Sequence, residues 1–205
     1  MLYFDEVAAK WDTPERMERA KVLAQAIRDS LTGTDAQKAL EIGCGTGLIS
    51  FELMSDFQSI HCMDTSEGML SVIRQKIAAY GAANLTACGA ELLSQPDGAR
   101  CFDVIYSSMV FHHIADTVGE LKLLRGFLKP GGRLLIIDLD TVDERFHQND
   151  ASFDGHHGFD RPQLERQLIG AGYQDISFHT VYTGTRVIEK DTIHYSLFLC
   201  KASRL

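Results

Sequence analysis

The sequence lacks long apolar runs. Its apolar stretches have the length of a strand, as in Leu134–Ile137, whereas a helix that spans a bilayer needs about 20 such residues. The opening stretch, MLYFDEVAAKWD, carries acidic side chains early and has no apolar segment of the kind that a signal peptide requires. We therefore expect no membrane span, and we expect the protein to be cytoplasmic.

The sequence also lacks paired cysteines and a surplus of positive charge. Its cysteines form no C-x-x-C motif, which is typical of reduced thiols and of neither a disulfide framework nor a zinc site. Lys and Arg number 20 against 28 Asp and Glu, a formal net charge of −8. That balance opposes binding of a polyanion such as DNA or RNA. The five cysteines are Cys44, Cys62, Cys88, Cys101 and Cys200.

A regular alternation of strand and helix patterns is present instead. Strands alternating with helices predict an α/β fold, a doubly wound sheet with helices on both faces. The last two strands are expected to form an antiparallel hairpin with its turn near Gly184. The prediction is thus a seven-stranded sheet, mostly parallel, with an antiparallel last strand. The predicted strands cover residues 39–42, 61–63, 84–88, 102–106, 133–139, 174–183 and 193–200.

Capping residues mark where several helices begin. Thr13 and Pro14 predict the start of a helix over residues 14–31, whose broad apolar face includes Met17 and Val22. Ser66 and Asp160 are the candidate caps of two later helices. We expect a single domain over residues 1–205. Its parts are an N-terminal helical cover (1–35), a cofactor-binding core (36–140), an insertion on the substrate side (141–159) and a final helix with the hairpin (160–205).

A glycine-rich loop follows the first predicted strand. The run Glu41–Gly47 (EIGCGTG) places glycines at alternate positions, which lets the chain turn sharply and lets a ligand approach the backbone. The helix behind it offers free N–H groups, and such loops lie at the ligand-binding crevice of doubly wound sheets. Asp64 ends the second strand, where a carboxylate can accept both hydroxyls of a ribose. The nicotinamide fingerprint G-x-G-x-x-G fits poorly from Gly43 or from Gly45.

At these residues the chain resembles the class I S-adenosylmethionine (SAM)-dependent methyltransferases, especially the branch of the ubiquinone/menaquinone biosynthesis enzymes. The resemblance spans most of the chain and implies a Rossmann-like fold, SAM as cofactor and methyl transfer as activity. The segments that carry it, in order, are YFDEVAAKWD (3–12), ALEIGCGTG (39–47), MDTSEGML (63–70), FDVIYSSMVFHHI (102–114), LKPGGRLLIIDLD (128–140) and GFDRPQLERQLIGAGYQDISF (158–178).

The resemblance also implies roles in binding the cofactor. The glycine loop would run beside the methionine part of SAM, Asp64 would take the ribose hydroxyls, and Met69 would flank the adenine. One departure is Gly89, where relatives often have an aspartate that accepts from the adenine amino group; Glu91 is the candidate substitute. The full set of expected cofactor residues is Glu41, Gly43, Cys44, Gly45, Gly47, Asp64, Thr65, Met69, Ala90, Glu91 and Ser107.

The methyl acceptor is expected beside the ends of the first and fourth strands. His112 and His113 are the candidate general bases, with a packing or capping role as the alternative interpretation. The strand-four motif lacks the Asn/Asp-Pro-Pro-aromatic signature of enzymes that methylate amino groups in nucleic acids. With the net charge, this favours a small-molecule acceptor. The residues expected to wall its site are Tyr3, Trp11, Phe146, His147, His156 and His157.

Other functions stay open at this point. A SAM-binding sensor or partner subunit without catalysis would carry the same binding residues. A dinucleotide-dependent oxidoreductase is disfavoured by the glycine spacing and the antiparallel hairpin. Methylation of arsenic or of thiols is suggested by the cysteines alone.

Overall fold

A computed structural model describes residues 2–33, 35–94, 101–148 and 153–205, and its centre is a seven-stranded sheet. The strands are β1 (Lys38–Ile42), β2 (Ser59–Met63), β3 (Leu85–Cys88), β4 (Phe102–Ser108), β5 (Leu128–Leu139), β6 (Tyr173–Ile188) and β7 (Asp191–Arg204). They lie in the order β3-β2-β1-β4-β5-β7-β6. Strands β1 to β5 are parallel, while β7 is antiparallel to both β5 and β6. The predicted fold class is therefore confirmed.

Two layers of helices cover the sheet. The helices are α1 (Leu2–Val7), α2 (Pro14–Ser30), α3 (Leu48–Leu53), α4 (Glu67–Tyr80), α5 (Thr117–Phe127) and α6 (Arg161–Gly170). Alternate residues of the central strands face opposite layers: Leu135 and Ile137 pack with α2, α3 and α4, and Leu134 and Ile136 pack with α5 and α6. A strand buried on both faces reads as an unbroken apolar run, which explains the sequence of β5.

Local hydrogen bonds fix the helix starts as the sequence predicted. The Thr13 hydroxyl accepts from the backbone N–H of Arg16 at 3.3 Å. The Ser66 hydroxyl accepts from Met69 at 3.1 Å, and the Asp160 carboxylate caps α6. The predicted apolar face of α2 was wrong at two positions. Met17 and Val22 are 46% and 41% exposed, because the buried stripe consists of Ala20, Leu23, Ala24 and Ile27.

The final hairpin also corrects the prediction of a turn near Gly184. Strand β6 continues to Ile188, and the chain reverses at Glu189, which has a left-handed φ of 55°. Gly184 lies within β6 opposite Tyr195. A Cβ at Gly184 would lie 2.6 Å from Tyr195 Cζ. The glycine therefore makes room for a ring on the neighbouring strand and does not form a turn.

The topology places several loops at one edge. Strand β1 lies between β2 and β4. The chain continues from β1 towards β2 on one side and from β4 towards β5 on the other, and this divergence opens a crevice at the carboxyl ends of β1 and β4. No helix in the described ranges combines the length and apolarity needed to cross a membrane. Residues 149–152 of the predicted insertion, and residues 95–100, lie outside the described part.

Candidate cofactor and acceptor site

The loop between β1 and α3 has the conformation that its glycines permit. Gly43, Gly45 and Gly47 have φ values of 66°, 53° and 83°, in the left-handed region that other residues rarely adopt. A Cβ on Gly43 would also collide with the side chain of Val110. The loop therefore needs glycine both for its backbone and for close packing against the segment after β4.

Asp64 meets this loop directly. Its Oδ2 accepts from the backbone N–H of Gly45 at 2.8 Å, and its Oδ1 accepts from that of Ser66 at 2.8 Å. Burial raises the pKa of Asp64, against the opposing effect of these backbone hydrogen bonds. The carboxylate is thus fixed at both oxygens and borders the cavity above the loop.

A first cavity opens over the carboxyl ends of β1 and β2. Four residues expected to bind the cofactor do not line this cavity. Gly47 and Ser107 are sequence neighbours of residues that line it, and Ala90 and Glu91 are exposed beyond the end of β3. The Ser107 hydroxyl is buried and has no hydrogen-bond partner within the described ranges. The expected residues that do line the cavity are Glu41, Gly43, Cys44, Gly45, Asp64, Thr65 and Met69.

Glu41 contributes a buried carboxyl group to this cavity. It is 3% exposed, and its Oε2 accepts from the Ser50 hydroxyl and from the Tyr106 hydroxyl at 3.4 Å. Burial raises the pKa of Glu41 to about 8, against the effect of these two hydroxyls. The group is therefore mainly protonated at neutral pH. Burial likewise raises the pKa of the neighbouring Cys44 thiol, which argues against a nucleophilic role.

The N-terminal segment covers the first cavity and is held by two carboxylates. Asp5 accepts from the Ser66 hydroxyl at 2.6 Å and from the Gly68 backbone at 2.8 Å. Asp12 accepts from Lys76 at 3.0 Å and also from the hydroxyl of Thr46. These acids were visible in the sequence, but their partners lie far along the chain.

A second cavity adjoins the first. Both are bordered by Phe4, Trp11, Arg16, Arg19, Met109 and His113. The second cavity has a volume of about 400 Å³, within the range of roughly 300–1,000 Å³ that is common for small-molecule sites. It is also lined by Tyr3, His112, Phe146 and His147. Six of the residues expected on the acceptor side therefore converge here: Tyr3, Trp11, His112, His113, Phe146 and His147.

Met109 forms part of the wall between the two cavities. Its φ of 60° is left-handed, which is uncommon for a residue with a side chain. Its backbone N–H donates to Ile137 at 2.9 Å, so β5 holds this conformation in place. Backbone strain of this kind is often found at functional sites.

His112 is held by a carboxylate. Its Nδ1 lies 2.6 Å from Oδ1 of Asp138, whose Oδ2 accepts from the His112 backbone N–H at 3.2 Å. Both side chains are buried, with 3% and 0% of their surfaces exposed. When Nδ1 donates to Asp138, Nε2 is left as the basic nitrogen of the imidazole. Asp138 was not singled out from the sequence, although an acid within an apolar strand was the available signal.

The remaining histidines of this region differ in their surroundings. His147 stacks on Phe153 at a ring distance of 3.9 Å, and neither of its ring nitrogens has a hydrogen-bond partner among the described residues. Burial, followed by the nearby His112, lowers the pKa of His147 to about 4. His156 and His157 do not line either cavity. His156 Nε2 lies 3.0 Å from the backbone oxygen of Ile114 and therefore holds two loops together.

Comparison with known proteins finds methyltransferases. A family model described as a methyltransferase domain matches residues 40–134. The chain is 34% identical over 137 residues to an uncharacterized methyltransferase of Schizosaccharomyces pombe, covering 60% of this chain and 48% of that protein. It is 30% identical over 150 residues to the ubiquinone/menaquinone biosynthesis C-methyltransferase UbiE of Cellvibrio japonicus, covering 66% and 57%. These findings support the assignment of the chain to the class I SAM-dependent methyltransferases.

A solved structure agrees with this methyltransferase fold. Phosphoethanolamine N-methyltransferase 2 of Haemonchus contortus, in complex with phosphomonomethylethanolamine and S-adenosylhomocysteine, matches with a TM-score of 0.72 at 19% identity. The match covers 89% of this chain and 52% of that one. The chain spans about half the length of the curated relatives it matches.

Three arginines beside the cavities were not predicted from the sequence. Arg16 and Arg19 border both cavities, and Arg186 borders the second one. Arg16 and Arg19 are spaced i, i+3 on α2, so they share a helix face, which was a readable signal. Arg186 lies on β6, and nothing in its local sequence points to the cavity. Within the described residues, His, Cys, Asp and Glu side chains form no group of three suited to a metal ion.

Proposed function

We propose that this chain transfers the methyl group of SAM to a small-molecule acceptor. The observation that carries the proposal is the contact of Asp64 with Gly45 at the edge of the first cavity, 2.8 Å long, which joins the expected ribose acceptor to the glycine loop. A second cavity of suitable size adjoins the first. A sensor that only binds SAM would not need this second cavity, which favours catalysis.

The residues of the first cavity suit the parts of SAM. The glycine loop would run beside the methionine part, and Glu41 lines the same cavity. Asp64 is fixed by two backbone donors, so its remaining lone pairs are available to two ribose hydroxyls. Met69 and Thr65 border the cavity where the adenine would lie.

Glu91 is the proposed partner of the adenine amino group. Its Oε1 accepts from the backbone N–H of Gly89 at 3.2 Å. A Cβ built on Gly89 would collide with the Glu91 carboxylate. The carboxylate of Glu91 therefore occupies the space where the side chain of an aspartate at position 89 would begin, which supports the substitution of one acid for the other.

The protein's part in the reaction is mainly to position SAM and the acceptor and to exclude water from them. SAM supplies a methyl group that its sulfonium already activates. The cover formed by Phe4 and Trp11 lies over both cavities and would keep water away from the reacting atoms. We propose that His112, oriented by Asp138, accepts a proton from the acceptor in the second cavity. Neither a nucleic acid nor a membrane is part of this proposal.

Binding of S-adenosylhomocysteine, measured by calorimetry with NAD(H) as the control, tests the cofactor assignment. Micromolar binding of S-adenosylhomocysteine alone is expected. Asp64→Ala should weaken that binding by about tenfold or more, because hydrogen bonds to a charged group contribute about 1.5–3 kcal/mol. Unchanged affinity in this variant would remove the ribose role, and binding of NAD(H) instead would overturn the cofactor. Transfer of label from methyl-labelled SAM to any small acceptor would exclude the sensor alternative.

A further inference from the structure

The second cavity carries a local surplus of positive charge. Arg16 and Arg19 on α2 and Arg186 on β6 all border it, and we refer to them as the cavity arginines. Among the described residues that line the cavity, Glu15 is the one carboxylate. The three arginines and Glu15 alone give the lining a positive balance, although the whole chain has a formal net charge of −8. Such a reversal of sign in a recess favours an anionic ligand.

The cavity arginines lack carboxylate partners in the described part of the chain. Elsewhere, Arg28 pairs with Asp56 at 2.9 Å and Arg161 pairs with Asp140 at 2.7 Å. No ion pair within 4.0 Å involves any of the cavity arginines in the described ranges, even though Glu15 borders the same cavity. Their guanidinium donors are therefore not consumed by acidic side chains.

Aromatic rings support two of these guanidinium groups instead. The Cζ atom of Arg16 lies 3.9 Å from the centre of the Trp11 ring, and Arg16 Nη1 donates to the Trp11 backbone oxygen at 3.0 Å. The Cζ atom of Arg186 lies 4.8 Å from the centre of the Phe146 ring. A ring holds the plane of a guanidinium without using most of its N–H donors, so these remain for a ligand.

The arginine charges are close enough to affect one another. Burial and the neighbouring Arg19 lower the pKa of Arg16, and Arg186 acts in the same direction. The guanidinium still stays charged, because its pKa lies far above neutral. Arg19 Nη1 lies 3.5 Å from the Tyr195 hydroxyl, a neutral partner that leaves the positive charge uncompensated. A bound anion would relieve this repulsion.

We propose that the cavity arginines bind an anionic group of the methyl acceptor, a carboxylate or a phosphate monoester. This assignment of substrate class rests on the function proposed above. Arg186 borders the second cavity and not the first, whereas Arg16 and Arg19 border both. Arg186 is therefore the residue that separates acceptor binding from cofactor binding. His112 lines the same cavity. An acceptor anchored through its anionic group would therefore have its reacting atom in the cavity that His112 lines.

The experiment titrates inorganic phosphate and acetate separately, at constant ionic strength, into the protein with and without saturating S-adenosylhomocysteine. We expect one of the two anions to bind in the millimolar range. Arg186→Gln should weaken that binding by about tenfold, the loss of a charge-assisted hydrogen bond. It should leave the affinity for S-adenosylhomocysteine unchanged. Arg166→Gln, which removes an exposed arginine of α6, is the matched control and should leave both affinities unchanged.

The titrations distinguish a wrong acceptor class from a wrong proposed function. If neither anion binds the wild-type protein, or if Arg186→Gln and Arg166→Gln bind the anion equally well, the acceptor class is wrong. If S-adenosylhomocysteine does not bind, the proposed function fails, and the titrations without it still decide whether the recess binds anions. Arg19→Gln provides a second variant if Arg186→Gln fails to fold, as judged by circular dichroism. The anion that binds more tightly distinguishes a phosphate-bearing from a carboxylate-bearing acceptor.

Discussion

The buried carboxyl group of Glu41 makes the stability of the unliganded protein depend on pH. Its pKa is raised from 4.5 to about 8 by burial. Between these two values the folded chain holds a proton that the unfolded chain has released. The free energy of unfolding therefore falls as pH rises through this window, and the contribution of Glu41 is lost above about pH 8. Glu41→Gln has no ionisable group and removes the effect.

The size of this effect follows from the width of the window. One pKa unit corresponds to about 1.4 kcal/mol, so the change between pH 5.5 and pH 8.5 should be about 3 kcal/mol. That is a large share of a typical total stability of about 5–15 kcal/mol. Urea unfolding of wild type and Glu41→Gln at the two pH values measures it, because the contributions of groups that do not interact with Glu41 cancel in the difference. Glutamine can still accept from Ser50 and Tyr106, so the folded site is preserved.

Glu165→Gln is the control, since it removes an exposed carboxylate of α6. It should change the free energy of unfolding by less than about 0.5 kcal/mol at both pH values. If wild type and Glu41→Gln lose stability equally between pH 5.5 and pH 8.5, the carboxyl group of Glu41 is not protonated in the folded protein. The reasoning from burial would then be refuted.

Three further predictions concern the proposed function. Binding of S-adenosylhomocysteine at pH 7 should release part of a proton from Glu41, because the ammonium group of the ligand favours the charged carboxylate. Calorimetry in buffers of different ionisation enthalpy measures this proton release, and Glu41→Gln should abolish the release. Glu91→Ala should weaken the binding of S-adenosylhomocysteine by about fivefold. It should leave unchanged the binding of S-inosylhomocysteine, which lacks the amino group of the adenine ring. His112→Gln should lower kcat by about 100-fold and leave the affinity for the cofactor unchanged. Asp138→Asn should shift the pH profile of kcat. An unshifted profile would mean that the role of Asp138 is purely structural.

Features that depend on neighbouring residues were predictable from the sequence. The caps Thr13, Ser66 and Asp160 each bond a backbone N–H three residues ahead, so a short stretch of sequence contains both partners. The same holds for the glycine loop after β1, whose left-handed φ values are a local requirement. The alternation of strands and helices then restricts the fold to a doubly wound sheet, because each element must bury its apolar face.

Where local patterns misled, the deciding contact was distant. Gly184 was interpreted as a turn, but its small size accommodates Tyr195 on the next strand. Met17 and Val22 are apolar residues on α2, yet both are exposed, because the buried stripe consists of Ala20, Leu23, Ala24 and Ile27. Periodicity predicts that a helix has an apolar face, but the position of the sheet decides how wide that face is.

The acceptor side of the site was decided by the tertiary structure. The glycine loop, Asp64 and the helix caps were all visible in the sequence, because their geometry arises within a strand, a loop and the helix that follows. The carboxylate of Asp138 on β5 reaches His112 in the segment after β4, and Arg186 joins Arg16 and Arg19 from the opposite end of the chain. Parallel strands bring their carboxyl ends to one edge whatever their separation in sequence. The sequence therefore determined the family and the cofactor loop, whereas only packing determined which charges meet in the second cavity.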